Sequence, residues 1–282
     1  MLNSFFKQSF KQISKSFAMG ILAFGEAYPT RLTDKATLQA LMRKLFPVSP
    51  GIQLIRLGPE DDGGYLVPND LIGIEACFSP GVGDICGFEK DCAALGMKVF
   101  LADGSVERPN ELHNRFCFTK KYVGVTTGDD FMTIDDWIGS SPVEPQTDLM
   151  LQVDIEGYEY EIFLGISDAL MRRLRIIVAE FHDLDQLWNG PFFQIASRAF
   201  EKILQTHTCV HIHPNNSCRS LNRWGLSIPP LAEFTFLRND RIRAPSYANL
   251  FPHPLDSDNS ADSPHFPLPK CWYNDRAIPG KS

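Results

Sequence analysis

From about Leu54 onward, short apolar runs alternate with amphipathic stretches, the pattern of buried strands joined by helices. Residues 74–79 read as a strand, 86–95 as a helix and 98–102 as a second strand. A strand over 121–125 precedes a helix beginning near Thr133, where the Thr133-x-x-Asp136 spacing fits a capping box. Residues 149–153 and 175–181 are buried-strand segments around a helix at 156–174. A longer helix at 191–204 leads to strands near 208–213 and 232–237, with no helix evident between those two. Such alternation gives βαβ units and a doubly wound, Rossmann-like α/β sheet, mainly parallel, with a C-terminal antiparallel hairpin closing one edge.

The two ends depart from that pattern. Residues 1–25 contain no acidic residue, and Lys7, Lys11 and Lys15 recur every four positions. Phe6, Phe10, Ile13 and Phe17 fall on a different side of the same helix. A basic amphipathic helix of this kind suits an anionic membrane surface, a partner, or packing on its own domain. Its lysines interrupt the apolar residues, so it is not a secretory signal. At the other end, seven prolines between Pro245 and Pro279 exclude long helices and central strands. The tail is disordered or an extended strap, and Leu250, Phe251, Phe266 and Trp272 favour the strap. The expected division is a helical lead-in over residues 1–50, a catalytic-type domain over 51–240 and a Pro-rich tail over 241–282.

Composition narrows the function classes. The 282 residues carry a net charge of −7, which argues against a nucleic-acid binder, since phosphate neutralisation needs clustered Lys and Arg. No apolar run approaches the roughly 20 residues of a transmembrane helix. Seven cysteines, odd in number and without a Cys-x-x-Cys pair, read as reduced, mostly buried thiols in a cytoplasmic protein.

Candidate chemistry gathers where strands end. Ser79-Pro-Gly81-Val-Gly83-Asp84 follows the first strand of the alternating region, and glycines there let the backbone approach a ligand. Asp103 lies 20 residues past Gly83 at the next strand end, placed to accept from both hydroxyls of an adenosine ribose. The spacing Gly81-x-Gly83-x-x-x-Gly87 is not the dinucleotide fingerprint, and Asp84 and Glu89 put negative charge where a pyrophosphate would sit. A cationic ligand such as S-adenosylmethionine, with its sulfonium and ammonium, suits this loop better than NAD. An apolar run then ends in Asp154-Ile-Glu156-Gly157-Tyr158-Glu159, where Glu156 and Glu159 serve either a ligand or the helix dipole. Further on come Glu180-Phe-His182 and His211-Ile-His213-Pro-Asn215-Asn216. His182 and His213 are candidates for general base or substrate positioning. Glu156, Glu180 and Asn216 are candidate acceptor contacts. No metal is assigned, although Asp154, Glu180, His182 and His213 form an alternative mixed oxygen and nitrogen set. The Asp61-Asp62-Gly63-Gly64 cluster reads equally as a turn or as a lid over a cofactor.

The segment Asp154-Ile-Glu-Gly-Tyr-Glu159 resembles the hallmark of the FkbM family of S-adenosylmethionine-dependent methyltransferases. Thr133-Ile-Asp-Asp-Trp-Ile138 is similar to that family's Thr-Leu-Asp-Asp segment, and Asp62-Gly-Gly-Tyr65 and Ser79–Asp84 resemble its entry turn and cofactor loop. The likeness covers residues 56–238. It implies the seven-stranded methyltransferase sheet with a reversed final hairpin, and O-methylation of a hydroxyl on a sugar, glycolipid or natural product. It also implies that Gly81, Gly83 and Glu89 line the cofactor loop, that Asp103 binds ribose, and that Asp154 sits by the methionine end or the acceptor. His182 and His213 are not carried over by it. The expected partner is a small-molecule or glycan acceptor, with no nucleic acid and with peripheral membrane contact through the N-terminal helix left open. The rival readings are a nucleotide-sugar or NAD-dependent oxidoreductase and a non-catalytic protein that keeps the cofactor fold.

Overall fold

The computed structural model describes residues 29–82 and 86–274. The basic N-terminal stretch, Gly83, Asp84 and the last residues of the Pro-rich tail lie outside the described residues. The sheet consists of β1 (Ile74–Pro80), β2 (Lys98–Ala102), β3 (Phe116–Thr119), β4 (Asp148–Val153), β5 (Leu174–Phe181), β6 (His207–Pro214) and β7 (Ala232–Arg238). Their spatial order is β3-β2-β1-β4-β5-β7-β6. The first five run parallel, and β7 inserts antiparallel between β5 and β6. This is the doubly wound, Rossmann-like sheet with a reversed hairpin that the alternation of elements implied, with the seven strands that the family resemblance implied.

Both faces of the sheet are covered, which is why its central strands read as continuous apolar runs. All eight residues of β5 are buried. On one face lie helices α1 (Lys35–Lys44), α3 (Ile134–Ser140), α4 (Glu159–Gly165), α5 (Asp168–Met171) and α6 (Gly190–Thr206). The other face is covered by α2 (Gly87–Ala94) and by a hairpin pairing Leu54–Leu57 with Tyr65–Pro68. Among the described residues no helix is long and apolar enough to cross a membrane.

Two expectations change. The third parallel strand is Phe116–Thr119, not 121–125; Tyr122–Val123 pairs only with Phe131–Met132. β3 is the edge strand, half-exposed along its length, so it lacks the apolar signature of its neighbours. The expected helix over 156–174 is broken in two and starts later. Glu156 (φ 57°) and Gly157 (φ 102°) are left-handed, so α4 begins at Glu159. Ser167 then caps a fresh turn, its side chain accepting from the Leu170 amide. The Thr133 cap does form, with Oγ1 accepting from the Asp136 amide at 3.1 Å.

The tail is a strap as far as the described residues extend. Ser246–Tyr247 pairs antiparallel with Val48–Ser49. Further along, Leu268 and Trp272 are buried, and the Trp272 indole packs 6.1 Å from Phe234 and donates to Ser227 O at 3.0 Å. All seven cysteines are free, with Cys77, Cys86, Cys92 and Cys209 buried. Because Trp272 fills a closed position on the helical face, Trp272→Ala is expected to cost about 3–5 kcal/mol in urea denaturation. A loss under about 1 kcal/mol would mean that the strap carries little of the fold's stability.

Candidate functional site

β1 leaves the sheet at Gly81, whose φ is 88°. A Cβ on Gly81 would stand 1.6 Å from the carbonyl oxygen of Asp154. Only glycine therefore lets the ends of β1 and β4 touch. Just before the turn, Ser79 Oγ lies 2.6 Å from Glu89 Oε1 and 2.7 Å from Gln152 Oε1, all three side chains being buried. One hydroxyl proton serves one acceptor, so either Glu89 carries a proton or the Gln152 amide is turned over. Burial raises the Glu89 carboxyl, which favours the first. The chain continues from Gln152 Nε2 to the Tyr65 hydroxyl at 3.3 Å, under the hairpin.

Asp103 stands partly exposed at the end of β2, and its Oδ1 accepts from the amide and hydroxyl of Ser105 at 2.7 and 2.6 Å. That short turn orients the carboxylate at the strand end.

The ends of β4 and β5 carry the densest cluster. The left-handed pair Glu156–Gly157 curls the chain so that Glu159 Oε1 accepts from the amides of Ile155 and Gly157 at 3.2 and 3.0 Å. His182 Nδ1 lies 3.1 Å from that same oxygen, and the Tyr160 hydroxyl donates to the His182 carbonyl at 2.7 Å. The ring is thus held at Nδ1, and the backbone of the same residue by Tyr160. Its Nε2 lies 3.4 Å from Glu156 Oε2. Burial alone would lower the His182 pKa, but Glu159, Asp154 and Glu156 outweigh it and raise it. Asp154 is pushed up to about 6, chiefly by burial, with His182 and a hydrogen bond to Glu180 opposing. Glu180 is driven well above the usual range by burial, then by Asp154 and Glu233. Those two carboxyls share a proton most readily when one is neutral.

The row extends across the sheet. Glu180 faces Glu233 on β7, which in turn faces His213 on β6. Glu233 is pushed up to about 7 by burial, against the pull of His213 and of Asn259, whose Nδ2 donates to its Oε1 at 2.7 Å. Asn259 and Asp256 come from the strap. Burial opposes ionisation of Asp256, yet His211 at 2.8 Å and His213 at 3.6 Å hold it well below the ordinary carboxylate range. At about 4.8 Å per strand, His213 stands roughly 14 Å from the Asp154 position.

The structure brings together Gly81, Asp154, Glu156, Glu180 and His182, with Ser79 and Glu89 directly beneath. It sets His213 apart under the strap. Asn216, expected at the acceptor, spends its side chain on the strap backbone: Nδ2 donates to the carbonyls of Ser260 and Ser263, and Oδ1 accepts from the Ser260 amide. Its neighbour Asn215 reaches the site instead, donating to Glu180 Oε1 at 2.9 Å. Gln152 and Glu233 were not singled out by the sequence, although both are polar residues inside apolar strands, and Tyr65 and Asn215 were named only within motifs, with no role of their own. The Asp61–Gly64 segment is the hairpin's turn, pinned by Asn259 Nδ2 on Asp62 Oδ1 at 3.1 Å and by the Ser257 hydroxyl on the Glu60 carbonyl.

No protein-family model matches the chain, and no curated protein matches it. Similar solved structures include the N-methyltransferase NodS from Bradyrhizobium japonicum WM9, at 10% identity and TM-score 0.35, covering 59% of this chain and 86% of that one. The 23S rRNA methyltransferase ErmE is 10% identical at TM-score 0.35, covering 76% and 70%. A dimethyladenosine transferase from Plasmodium falciparum is 11% identical at TM-score 0.32, covering 74% and 64%. These likenesses are distant, and the strand order above stands on the hydrogen-bond register of the sheet itself.

The raised Glu233 carboxyl has a defined consequence for stability. Its folded pKa exceeds the unfolded value of 4.5, so the folded state binds the extra proton between pH 4.5 and about 7. Stability from this group is present below that window and is lost as pH rises through it. Glu233→Gln removes the loss, so its thermal midpoint relative to the parent is expected to be higher at pH 8 than at pH 5, by an amount worth a few kcal/mol. Equal differences at the two pH values would show that Glu233 titrates normally.

Proposed function

We propose that this chain is an S-adenosylmethionine-dependent methyltransferase that methylates a hydroxyl on a sugar, glycolipid or natural product. The observation that carries the reading is the pairing of two acidic strand ends across one backbone contact. Asp103 ends β2, the Asp154 cluster ends β4, and the glycine turn of β1 touches Asp154 between them. Asp103 suits the ribose hydroxyls of an adenosine. Among the described residues no Lys or Arg forms an ion pair with Asp154, Glu156, Glu159 or Glu180. Such an edge favours a sulfonium and an ammonium and repels a pyrophosphate, which weighs against a NAD or nucleotide-sugar enzyme. The resemblance to the FkbM family points the same way and supplies the hydroxyl acceptor.

The reaction asks little covalent chemistry of the protein. The acceptor oxygen attacks the methyl carbon in line, the carbon–sulfur bond breaks with its electrons going to sulfur, and S-adenosylhomocysteine leaves. Positioning supplies most of the acceleration. The hydroxyl proton goes to His182 Nε2, the ring nitrogen left facing Glu156 once Glu159 has engaged Nδ1. His213, held by Asp256 two strands beyond β5, serves the acceptor pocket rather than this proton.

Calorimetric titration should show micromolar binding of S-adenosylmethionine and S-adenosylhomocysteine and none of NAD or a nucleotide sugar. Asp103→Ala should weaken that binding at least about tenfold, the loss expected for hydrogen bonds to a charged acceptor. Binding of NAD instead would overturn the proposal. His182→Gln should leave cofactor affinity intact and lower kcat by about a hundredfold or more in a methyl-transfer assay on hydroxyl acceptors. Unchanged kcat would remove His182 from proton transfer.

A further inference from the structure

The charge at the β4 and β5 ends is far from balanced. Asp154, Glu156 and Glu159 gather about one imidazole, and among the described residues no Lys or Arg forms an ion pair with any of them. Glu159 is fully buried, and its Oε2 has no hydrogen-bond partner. The same cluster has a second property that ion pairing does not require. One oxygen each from Asp154 and Glu156 and one nitrogen of His182 lie within 4.8 Å of one another. Ligands of one divalent ion, each about 2.0–2.6 Å from it, sit no more than about 5 Å apart.

We propose that Asp154, Glu156 and His182 Nε2 hold one divalent cation of the Mg2+ or Mn2+ class. His182 is built as a metal ligand is built. A buried carboxylate, Glu159, engages Nδ1, which fixes the tautomer and leaves the Nε2 lone pair facing Glu156, with Asp154 in the same cluster. Tyr160 locks the backbone of the same residue. Two carboxylates and one imidazole, with no thiolate among them, suit a cation that prefers oxygen. Glu156 has 88% of its side chain exposed, so the cluster opens to solvent and the ion keeps coordination positions free. Of the alternative set read from the sequence, Glu180 is instead bound to Asn215, and His213 lies under the strap.

The proposal deepens the methyltransferase reading and rests on it only for the cation's role. With the ion in place, the Nε2 lone pair is taken, and the cation replaces the bare imidazole as the group that activates the hydroxyl. Two neighbouring oxygens of the acceptor, as in a vicinal diol, fill adjacent free positions. The bound hydroxyl gives its proton to solvent, its oxygen takes the methyl group, and the sulfonium becomes a thioether.

The test uses the full chain stripped with EDTA and titrated with Mn2+ while free Mn2+ is followed by electron paramagnetic resonance. One saturable site per chain is expected. Glu156→Gln, at an exposed position that leaves the fold intact, and His182→Gln should each weaken it at least tenfold. Asp129→Asn, in an exposed loop, should leave it unchanged. Thermal midpoints in EDTA check that the variants are folded. Absence of a saturable site, or a site indifferent to both Glu156→Gln and His182→Gln, overturns the proposal. Titration of S-adenosylmethionine in EDTA reads the donor site separately: donor binding without a Mn2+ site sinks the cation alone, whereas a Mn2+ site without donor binding sinks the methyltransferase reading alone.

Discussion

Carboxyl groups buried at one edge of a sheet, with no ion pair to Lys or Arg among the described residues, must be neutralised by protons, imidazoles or something bound, and much of this molecule is arranged around that requirement. The opposite edge shows what a purely structural solution looks like. There Arg175 Nε meets Asp148 Oδ2 at 2.7 Å, Arg238 Nη2 meets the same oxygen at 3.1 Å, and Arg241 grips Asp70 with two nitrogens. Each charge has an opposite partner, and the strands are tied at their amino ends. At the carboxyl edge Asp154, Glu180 and Glu233 are all driven upward in pKa, chiefly by burial. Each unit of such a shift is worth about 1.4 kcal/mol. Perturbed carboxyls gathered at one edge, where the other edge pairs its charges, mark that edge as the candidate ligand site.

The covering elements follow from the same constraint. Polar groups under a hairpin need partners, and Tyr65, Gln152, Ser79 and Glu89 form a continuous buried chain that provides them. The Pro-rich strap does the equivalent work at the far end of the row. It delivers Asp256 to His211 and His213, and Asn259 to Glu233 and Asp62, while Asn216 holds the strap's own backbone. The strap thereby joins the sheet edge to the hairpin turn, and the far end of the row is walled by residues distant in sequence.

Much of this arrangement was legible beforehand. The strands β1, β2, β4, β5, β6 and β7 come from apolar runs that cannot be exposed, and the final hairpin follows from the missing helix between two of them. β3 escaped because an edge strand is half wet and has no such run. The break between α4 and α5 escaped because Glu156 in a left-handed conformation leaves no mark in composition; Gly157 beside it was the available sign. Site residues were legible where a charged residue closes an apolar run, as at Asp154 and His182. They were illegible where the partner arrives through tertiary structure, as Asn259 and Asp256 do from the strap. Asn215 and Asn216 illustrate the limit: adjacent amides on one loop face opposite partners, and only strand direction decides which one meets Glu180.

The contact between Gly81 and Asp154 links these parts. In the proposed reaction, a donor on the glycine turn and an acceptor on the Asp154–His182 cluster would be placed relative to each other by backbone, since a Cβ at Gly81 would overlap the Asp154 carbonyl. Backbone contacts vary less than side-chain ones, and methyl transfer in line tolerates only a few tenths of an ångström in the separation of the reacting atoms, about 3–3.5 Å. The cluster would then need to fix only the direction of the acceptor oxygen, which an imidazole held at Nδ1 by Glu159 can supply. Whether that nitrogen carries a proton or a cation changes how the hydroxyl is activated, but not where it sits. The geometry of the site is therefore set by the sheet, and its chemistry by what neutralises the carboxylates.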